Sequence, residues 1–71
     1  MKIGNRGVKV LRKHENKILG VRVELNQKTT VAGKIIYVVV LTNLHTGRHY
    51  DVQVFNGVQP AWEYYKAALA L

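Results

Sequence analysis

Residues 35–41 read Ile-Ile-Tyr-Val-Val-Val-Leu, and this stretch decides the fold. Its β-branched residues predict a strand, which we extend over residues 31–42, with a bulge at Gly33. Apolar side chains fall on both faces: Ile35, Tyr37, Val39 and Leu41 on one, and Ile36, Val38 and Val40 on the other. Such a strand is typical of the centre of a sheet covered on both sides, because exposure would favour aggregation.

Shorter segments predict the remaining strands. We expect strands over 8–13, 18–25 and 48–55, with turns over 14–17, 26–29 and 43–47. In the segment 18–25, Leu19, Val21, Val23 and Leu25 share one face, and Gly20, Arg22 and Glu24 take the other. In the segment 48–55, Tyr50, Val52 and Val54 are expected to point inward, and His49, Asp51 and Gln53 outward.

The carboxy-terminal segment predicts one helix over residues 58–71, with Pro60 suited to its first turn. Its apolar stripe consists of Ala61, Trp62, Tyr65, Ala68 and Leu69. The predicted fold class is α+β: a small antiparallel β-meander of three to four strands with one C-terminal helix packed on the sheet. We expect a single domain over 1–71, with a flexible basic arm at 1–7, antiparallel strands over 8–56 and the helix over 58–71.

One helix covers only one face of a sheet, so an apolar surface is left over. Two arrangements stay open: the amino-terminal strand folds over to close a small barrel, or a second chain covers the surface. We favour a homodimer through the helix, with Tyr64, Ala67 and Leu71 at the subunit or partner interface, because the helix is apolar nearly all round.

Charge is concentrated in the first half of the chain. Residues 1–34 contain nine basic residues against Glu15 and Glu24, or 9 − 2 = +7, and the remainder sums to zero. Ammonium and guanidinium groups in this pattern suit the phosphates of nucleic acid. The expected phosphate-binding residues are Lys2, Arg6, Lys9, Arg12, Lys13, Lys17 and Arg22. Two alternatives stay open: a solvated face that maintains solubility, and a docking site for an acidic protein surface.

Catalytic and metal-binding patterns are missing from the sequence. It has no cysteine and only four well-separated acidic residues, and His14, His45 and His49 are expected at the surface. Tyr37, Tyr50, Trp62 and Tyr65 are assigned to the core and not to base stacking, and none of the six aromatic residues is interleaved with the basic cluster in the sequence. No apolar run approaches the roughly 20 residues that span a bilayer. We therefore expect a cytoplasmic protein that is no enzyme and has no cofactor, metal or membrane partner.

The segment 48–56, Arg-His-Tyr-Asp-Val-Gln-Val-Phe-Asn, is followed by Ala61-Trp62 and by Tyr65-Lys66-Ala67-Ala68-Leu69. This pattern is similar to the DNA-binding domain of plant ethylene-response factors and to the arm-binding amino-terminal domain of tyrosine recombinases. The spacing of Phe55 and Ala61 carries the resemblance, which covers residues 37–71. Residues 25–36 read as an insertion, and Gln53 replaces a glycine of the pattern.

The resemblance implies a three-stranded sheet backed by a helix, which contacts DNA through its exposed face. It implies DNA contacts for Arg22 and Arg48. Together with the charge, this predicts an accessory or regulatory protein that binds nucleic acid, with duplex DNA favoured, and whose size is typical of phage or mobile-element factors. The alternative is a protein-binding inhibitor or modulator that docks on an acidic surface of a host enzyme. A phage origin is one interpretation of such a protein.

Overall fold

The computed structural model describes residues 7–70. The chain forms four strands and a helix in the order β1 (Lys9–Asn16), β2 (Val21–Thr29), β3 (Ile35–Asn43), β4 (His49–Phe55) and α1 (Val58–Leu69). The strands make one antiparallel sheet in the order β1-β2-β3-β4, and α1 packs on one face of it. The predicted α+β meander with a carboxy-terminal helix is confirmed. Most of the predicted arm lies outside the described residues.

The hydrophobic core lies between α1 and the two middle strands. Leu25 of β2 and Val39 of β3 are almost fully buried, and Ala61 and Tyr65 of α1 pack over them. Pro60 lies in the first turn of α1, which begins after Gly57, as expected from its fixed φ. No helix in residues 7–70 has the length and apolar character that crossing a membrane requires.

The β2–β3 connection differs from the prediction. Residues 26–29 belong to β2 and are not a turn, whereas residues 31–34 form the turn and are not part of β3. The Thr30 amide donates to the Lys34 carbonyl at 2.8 Å, and the Thr30 hydroxyl accepts a hydrogen bond from the Lys34 amide at 3.0 Å. Gly33 supplies the positive φ of 88° that this tight turn needs, so it marks a turn and not a bulge.

The β1–β2 connection is also displaced along the chain. β1 continues to Asn16, and the turn occupies residues 17–20 instead of 14–17. The Asn16 side-chain oxygen accepts hydrogen bonds from the amides of Ile18 and Leu19, both at 3.0 Å. These two apolar residues therefore lie in an exposed turn whose backbone the Asn16 side chain stabilises.

The predicted orientation of β4 is wrong. Asp51 and Gln53 lie opposite Leu41 and Val39 on the helix-covered side, so Val52 and Val54 lie on the other side. The next pair joins Thr42 to His49, which leaves Tyr50 as one extra residue on β4, a β-bulge. Packing against α1 explains the choice of faces: Phe55 contacts Tyr64 with a ring-centroid distance of 5.6 Å, and the Asp51 carboxylate accepts the hydroxyl proton of Tyr64.

The uncovered side of the sheet is called here the open face. Its residues, taken from the strand register, are Val10, Lys13 and Glu15 of β1, Arg22, Glu24, Asn26 and Lys28 of β2, Ile36, Val38, Val40 and Thr42 of β3, and His49, Val52 and Val54 of β4. The strand order is linear, with β1 and β4 at its two edges, so closure into a barrel, one of the two arrangements left open by the sequence, does not occur in residues 7–70. The predicted two apolar faces of β3 are confirmed, but only one is covered by another described element.

Candidate nucleic-acid interface

The basic cluster predicted on the first hairpin lies along an edge strand. In β1, Lys9 and Arg12 stand on the helix-covered side, opposite Gln27 and Leu25, and Lys13 stands on the open face opposite Glu24. Lys17 follows in the turn. Lys9, Arg12 and Lys13 are exposed, and β1 has a partner strand on one side only. The edge thus presents cations along its length and at its end.

Every side-chain carboxylate of the chain has a partner inside the molecule. Glu15 and Glu24 lie 3.3 and 3.4 Å from the Arg22 guanidinium, and Glu63 lies 3.6 Å from the Lys66 ammonium. The carboxylate of Asp51 accepts hydrogen bonds from Tyr64 and Gln53. Within residues 7–70, the cations without an ion pair are Lys9, Arg12, Lys13, Lys17, Lys28, Lys34 and Arg48.

Arg22 differs from the other predicted contacts. Its guanidinium lies on the open face between the carboxylates of Glu15 and Glu24, and its side chain is only 30% exposed. Two neighbouring negative charges offset one positive charge, so this trio attracts a phosphate weakly. The structure therefore places Arg22 in an ion-pair network within the sheet. We expect its guanidinium to stabilise the sheet rather than to contact a ligand.

Arg48 and Lys17 lie at the same end of the sheet, in the two neighbouring turns. The Leu44 amide donates to the Gly20 carbonyl at 2.8 Å, which joins the β3–β4 turn to the β1–β2 turn. Arg48 closes its own turn, because its carbonyl accepts the Asn43 amide at 2.8 Å. The two turns thus place Arg48 and Lys17 at the same end of the sheet.

Two cations lie elsewhere, and the sequence did not single them out as phosphate contacts. Lys34 is in the β2–β3 turn at the opposite end of the sheet, and Lys28 is on the nearby end of β2. Both are exposed. Lys2 and Arg6, which were predicted to bind phosphate, lie outside the described residues.

The fold places Trp62 beside the basic edge strand β1. The spacing of residues in the sequence did not indicate this proximity. The Arg12 guanidinium carbon lies 5.9 Å from the centroid of the Trp62 ring, and the Lys66 ammonium lies 5.8 Å from it. Tyr65 stacks on the same indole at 5.5 Å. The two chain segments are far apart in sequence, so an aromatic ring meets the basic cluster in space although none is interleaved with it along the chain. A cation at 6 Å or less is attracted by the ring quadrupole.

The predicted interface on the helix is partly occupied within the chain. Tyr64 is half-buried, with its ring against Phe55 and its hydroxyl on Asp51. That hydrogen bond raises the pKa of Tyr64 and, with a smaller contribution from Gln53, lowers the pKa of Asp51. Ala67 is exposed at the rim of a groove between α1 and β4, and Leu71 lies outside the described residues. A role of this surface in dimerisation stays a prediction.

The histidines have local structural partners. The His49 Nδ1 atom lies 2.9 Å from the Thr42 hydroxyl on the open face, and the His45 ring lies against Gly20 between the two turns. Across the part of the chain that the structure describes, no three potential ligands among His, Asp and Glu come together in a group that could hold a metal ion.

No protein-family model, curated protein or solved structure matches this chain.

Proposed function

We propose that this protein is an accessory or regulatory nucleic-acid-binding protein that contacts phosphates through the β1 edge and the turn that follows it. The observation that carries the proposal is the pairing of all four side-chain carboxylates inside the molecule. Because no acidic side chain remains to neutralise them, Lys9, Arg12, Lys13 and Lys17 present uncompensated charge to solvent. Phosphates that bind such groups release condensed counterions, which favours association.

Duplex DNA is the favoured ligand. The major groove of B-DNA admits β-strands, and β1, the strand that carries the cations, is the outer strand at one edge of the four-stranded sheet. The resemblance to sheet-and-helix DNA-binding domains supports the same choice. The open face is a poorer surface for DNA than in those families, because its β3–β4 half carries valines and its arginine is already paired.

The test is fluorescence anisotropy of labelled duplex DNA, single-stranded DNA and duplex RNA across a salt series. We expect the duplex DNA to bind most tightly, with a log affinity that falls by about 0.9 per phosphate contact for each unit of log salt. Lys13→Ala with Lys17→Ala should weaken binding and reduce this slope by about 2. Adding Arg12→Ala should weaken binding further with little change in melting temperature.

The matched control is Lys28→Ala with Lys34→Ala, which removes the same charge from the opposite end of the sheet. A local site on β1 predicts a smaller loss in this control. Equal losses of affinity in the two double variants would indicate a diffuse electrostatic attraction instead of a local site on β1. Absence of binding at low salt would overturn the proposal altogether.

A second candidate function is a protein-binding inhibitor or modulator that docks on an acidic protein surface. The uncovered valines of β4, Val52 and Val54, favour it, because a protein partner could bury these exposed side chains. Retention on any polyphosphate with a steep salt dependence is expected for the first function. Capture of one specific protein from lysate at physiological salt is expected for the second.

A further inference from the structure

A row of three valines and one asparagine crosses the open face of the sheet. The register aligns Val10, Asn26, Val38 and Val54, one residue from each strand. Val10 is 54% exposed and Val54 is 59% exposed, although both stand on a sheet face. The only described helix, α1, packs on the other side of the sheet. On the β3–β4 half of this face, Ile36, Val40 and Val52 adjoin the valines of the row. A contiguous apolar surface of this kind usually marks a site of association.

The open face is nearly neutral, unlike the rest of the molecule. It holds three cations and two carboxylates, or 3 − 2 = +1: Lys13, Arg22 and Lys28 against Glu15 and Glu24. Residues 7–70 together hold nine cations and four carboxylates, or 9 − 4 = +5. The excess charge therefore lies off this face. A strongly acidic partner gains little from such a surface, whereas two copies of it meet without strong repulsion.

Asn26 is the one polar residue of this row and stands on β2, between Val10 and Val38. Its side-chain oxygen is buried and makes no hydrogen bond within the described residues. A half-turn of the carboxamide exchanges its oxygen and nitrogen, so either atom can be turned outward. In a two-fold assembly with its axis near Asn26, the two carboxamides can bond each other. A single asparagine in an otherwise apolar interface fixes alignment in other assemblies in the same way.

We propose that a second copy of this chain covers the open face, so that two sheets pack face to face about a two-fold axis near Asn26. The face spans four strands at a spacing of roughly 4.8 Å, with about eight residues per strand at roughly 3.4 Å, or about 500 Å² in projection. Two such faces bury about 1,000 Å² or more, which is the lower limit for a specific interface. The dimer is therefore expected to dissociate at micromolar concentrations.

This assembly is argued independently of the proposed function and leaves three of its four phosphate contacts free. The fourth, Lys13, stands on the open face, so the dimer covers it. Lys9 and Arg12 stand on the opposite side of the sheet from the buried face, and Lys17 lies in a turn at its end. All three stay exposed in the dimer. The assembly differs from the helix-mediated dimer predicted from the sequence, because α1 then lies on the outside of both copies.

Sedimentation velocity over a concentration series tests the proposal. The chain has a mass of 8.1 kDa, so the dimer has 2 × 8.1 = 16.2 kDa. Val54→Lys should raise the dissociation constant by roughly 30-fold or more, since each copy then buries an unpaired ammonium group. Val31→Lys is the matched control: it makes the same substitution at a turn residue that is 99% exposed, and should leave the dimer intact.

Circular dichroism of each variant monomer shows whether the fold is retained. Asn26→Asp places two carboxylates at the proposed axis and should weaken the dimer, and an unchanged dimer would overturn the position of that axis. Ala67→Lys, on the exposed side of α1, should leave the dimer intact. A wild-type chain that stays monomeric at high concentration, or a dimer lost in Ala67→Lys but retained in Val54→Lys, would overturn the proposal.

Discussion

Tyr64 of α1 donates its hydroxyl proton to the carboxylate of Asp51 in β4, and this bond ties the helix to an edge strand. Because the bond requires an ionised carboxyl, it lowers the pKa of Asp51 below its ordinary 3.8. Its contribution to stability is present above that value and is lost as the pH falls through the lowered pKa. The bond also raises the pKa of Tyr64, so its contribution persists below the ordinary 10.0 and is lost as the pH rises past the raised value.

Tyr64→Phe should therefore lower the melting temperature at pH 7, because the ring contact with Phe55 remains and only the hydrogen bond is lost. The difference from the wild type should shrink in acid, once Asp51 is protonated in both proteins. Tyr50→Phe, at an exposed position, should have little effect at any pH. A difference from wild type that stays constant from pH 2 to pH 7 would contradict this assignment. Thermal denaturation followed by circular dichroism measures it.

Val39→Ala should strongly destabilise the fold, because Val39 is fully buried at the centre of β3. We expect a loss of about 2–3 kcal/mol from the missing apolar burial and the cavity left behind. Val31→Ala makes the same substitution in an exposed turn and should change the free energy of unfolding by less than about 0.5 kcal/mol. Urea denaturation of the two variants gives both values. Similar losses of unfolding free energy in the two variants would contradict the burial of Val39 in the core.

Gly20→Ala should destabilise the protein more than Gly33→Ala. Both glycines have positive φ, 71° and 88°, so both variants incur backbone strain of about 1–2 kcal/mol. At Gly33 an added Cβ meets no atom within 4 Å, whereas at Gly20 it lies 2.7 Å from His45 Nε2. The His45 ring must therefore move. Equal losses in urea denaturation would show that the ring moves without cost, and Gly20→Ala combined with His45→Ala should recover the excess loss.

Arg12→Ala should change the fluorescence of Trp62, the only tryptophan of the chain. Removing the guanidinium from above the indole lets water approach, so the emission should shift to longer wavelength. The cation–π contact contributes about 0.5–1 kcal/mol at an exposed site, so stability should change little. Lys13→Ala, which alters the neighbouring residue on the opposite side of β1, should leave the emission unchanged. A comparable shift in both variants would contradict the contact.

The central strand and the helix were predictable because each carries a strong local signal. The run 35–41 has β-branched residues on both faces, and Ala61 and Tyr65 fall on one stripe at helical spacing. The predicted boundaries of the connections were wrong where two local sequence signals competed. At Asn16 a half-buried asparagine side chain determines the turn, although Leu19 continues the apolar alternation of Val21, Val23 and Leu25.

The orientation of β4 was not predictable from the strand alone. The valines of this strand alternate with Asp51 and Gln53, which favours the wrong face, and only the helix explains the choice. Asp51 can lie beneath α1 because the Tyr64 hydroxyl donates a hydrogen bond to its carboxylate. The two residues lie in different elements. The contact of Arg12 with Trp62 was hidden for the same reason. Side-chain pairs between distant segments depend on the tertiary packing.

Both edges of the sheet contain an irregularity. In β1, Val10 pairs with Asn26 and Arg12 with Leu25, so Leu11 is an extra residue, as Tyr50 is in β4. An extra residue interrupts the even spacing of amide and carbonyl groups that an incoming strand needs. The sheet is thus protected at both sides against lateral growth into a fibre, although its central strand has the composition of a fibre-forming segment. Because both edges are irregular, a protein with exposed valines can remain a small, discrete assembly and need not polymerise.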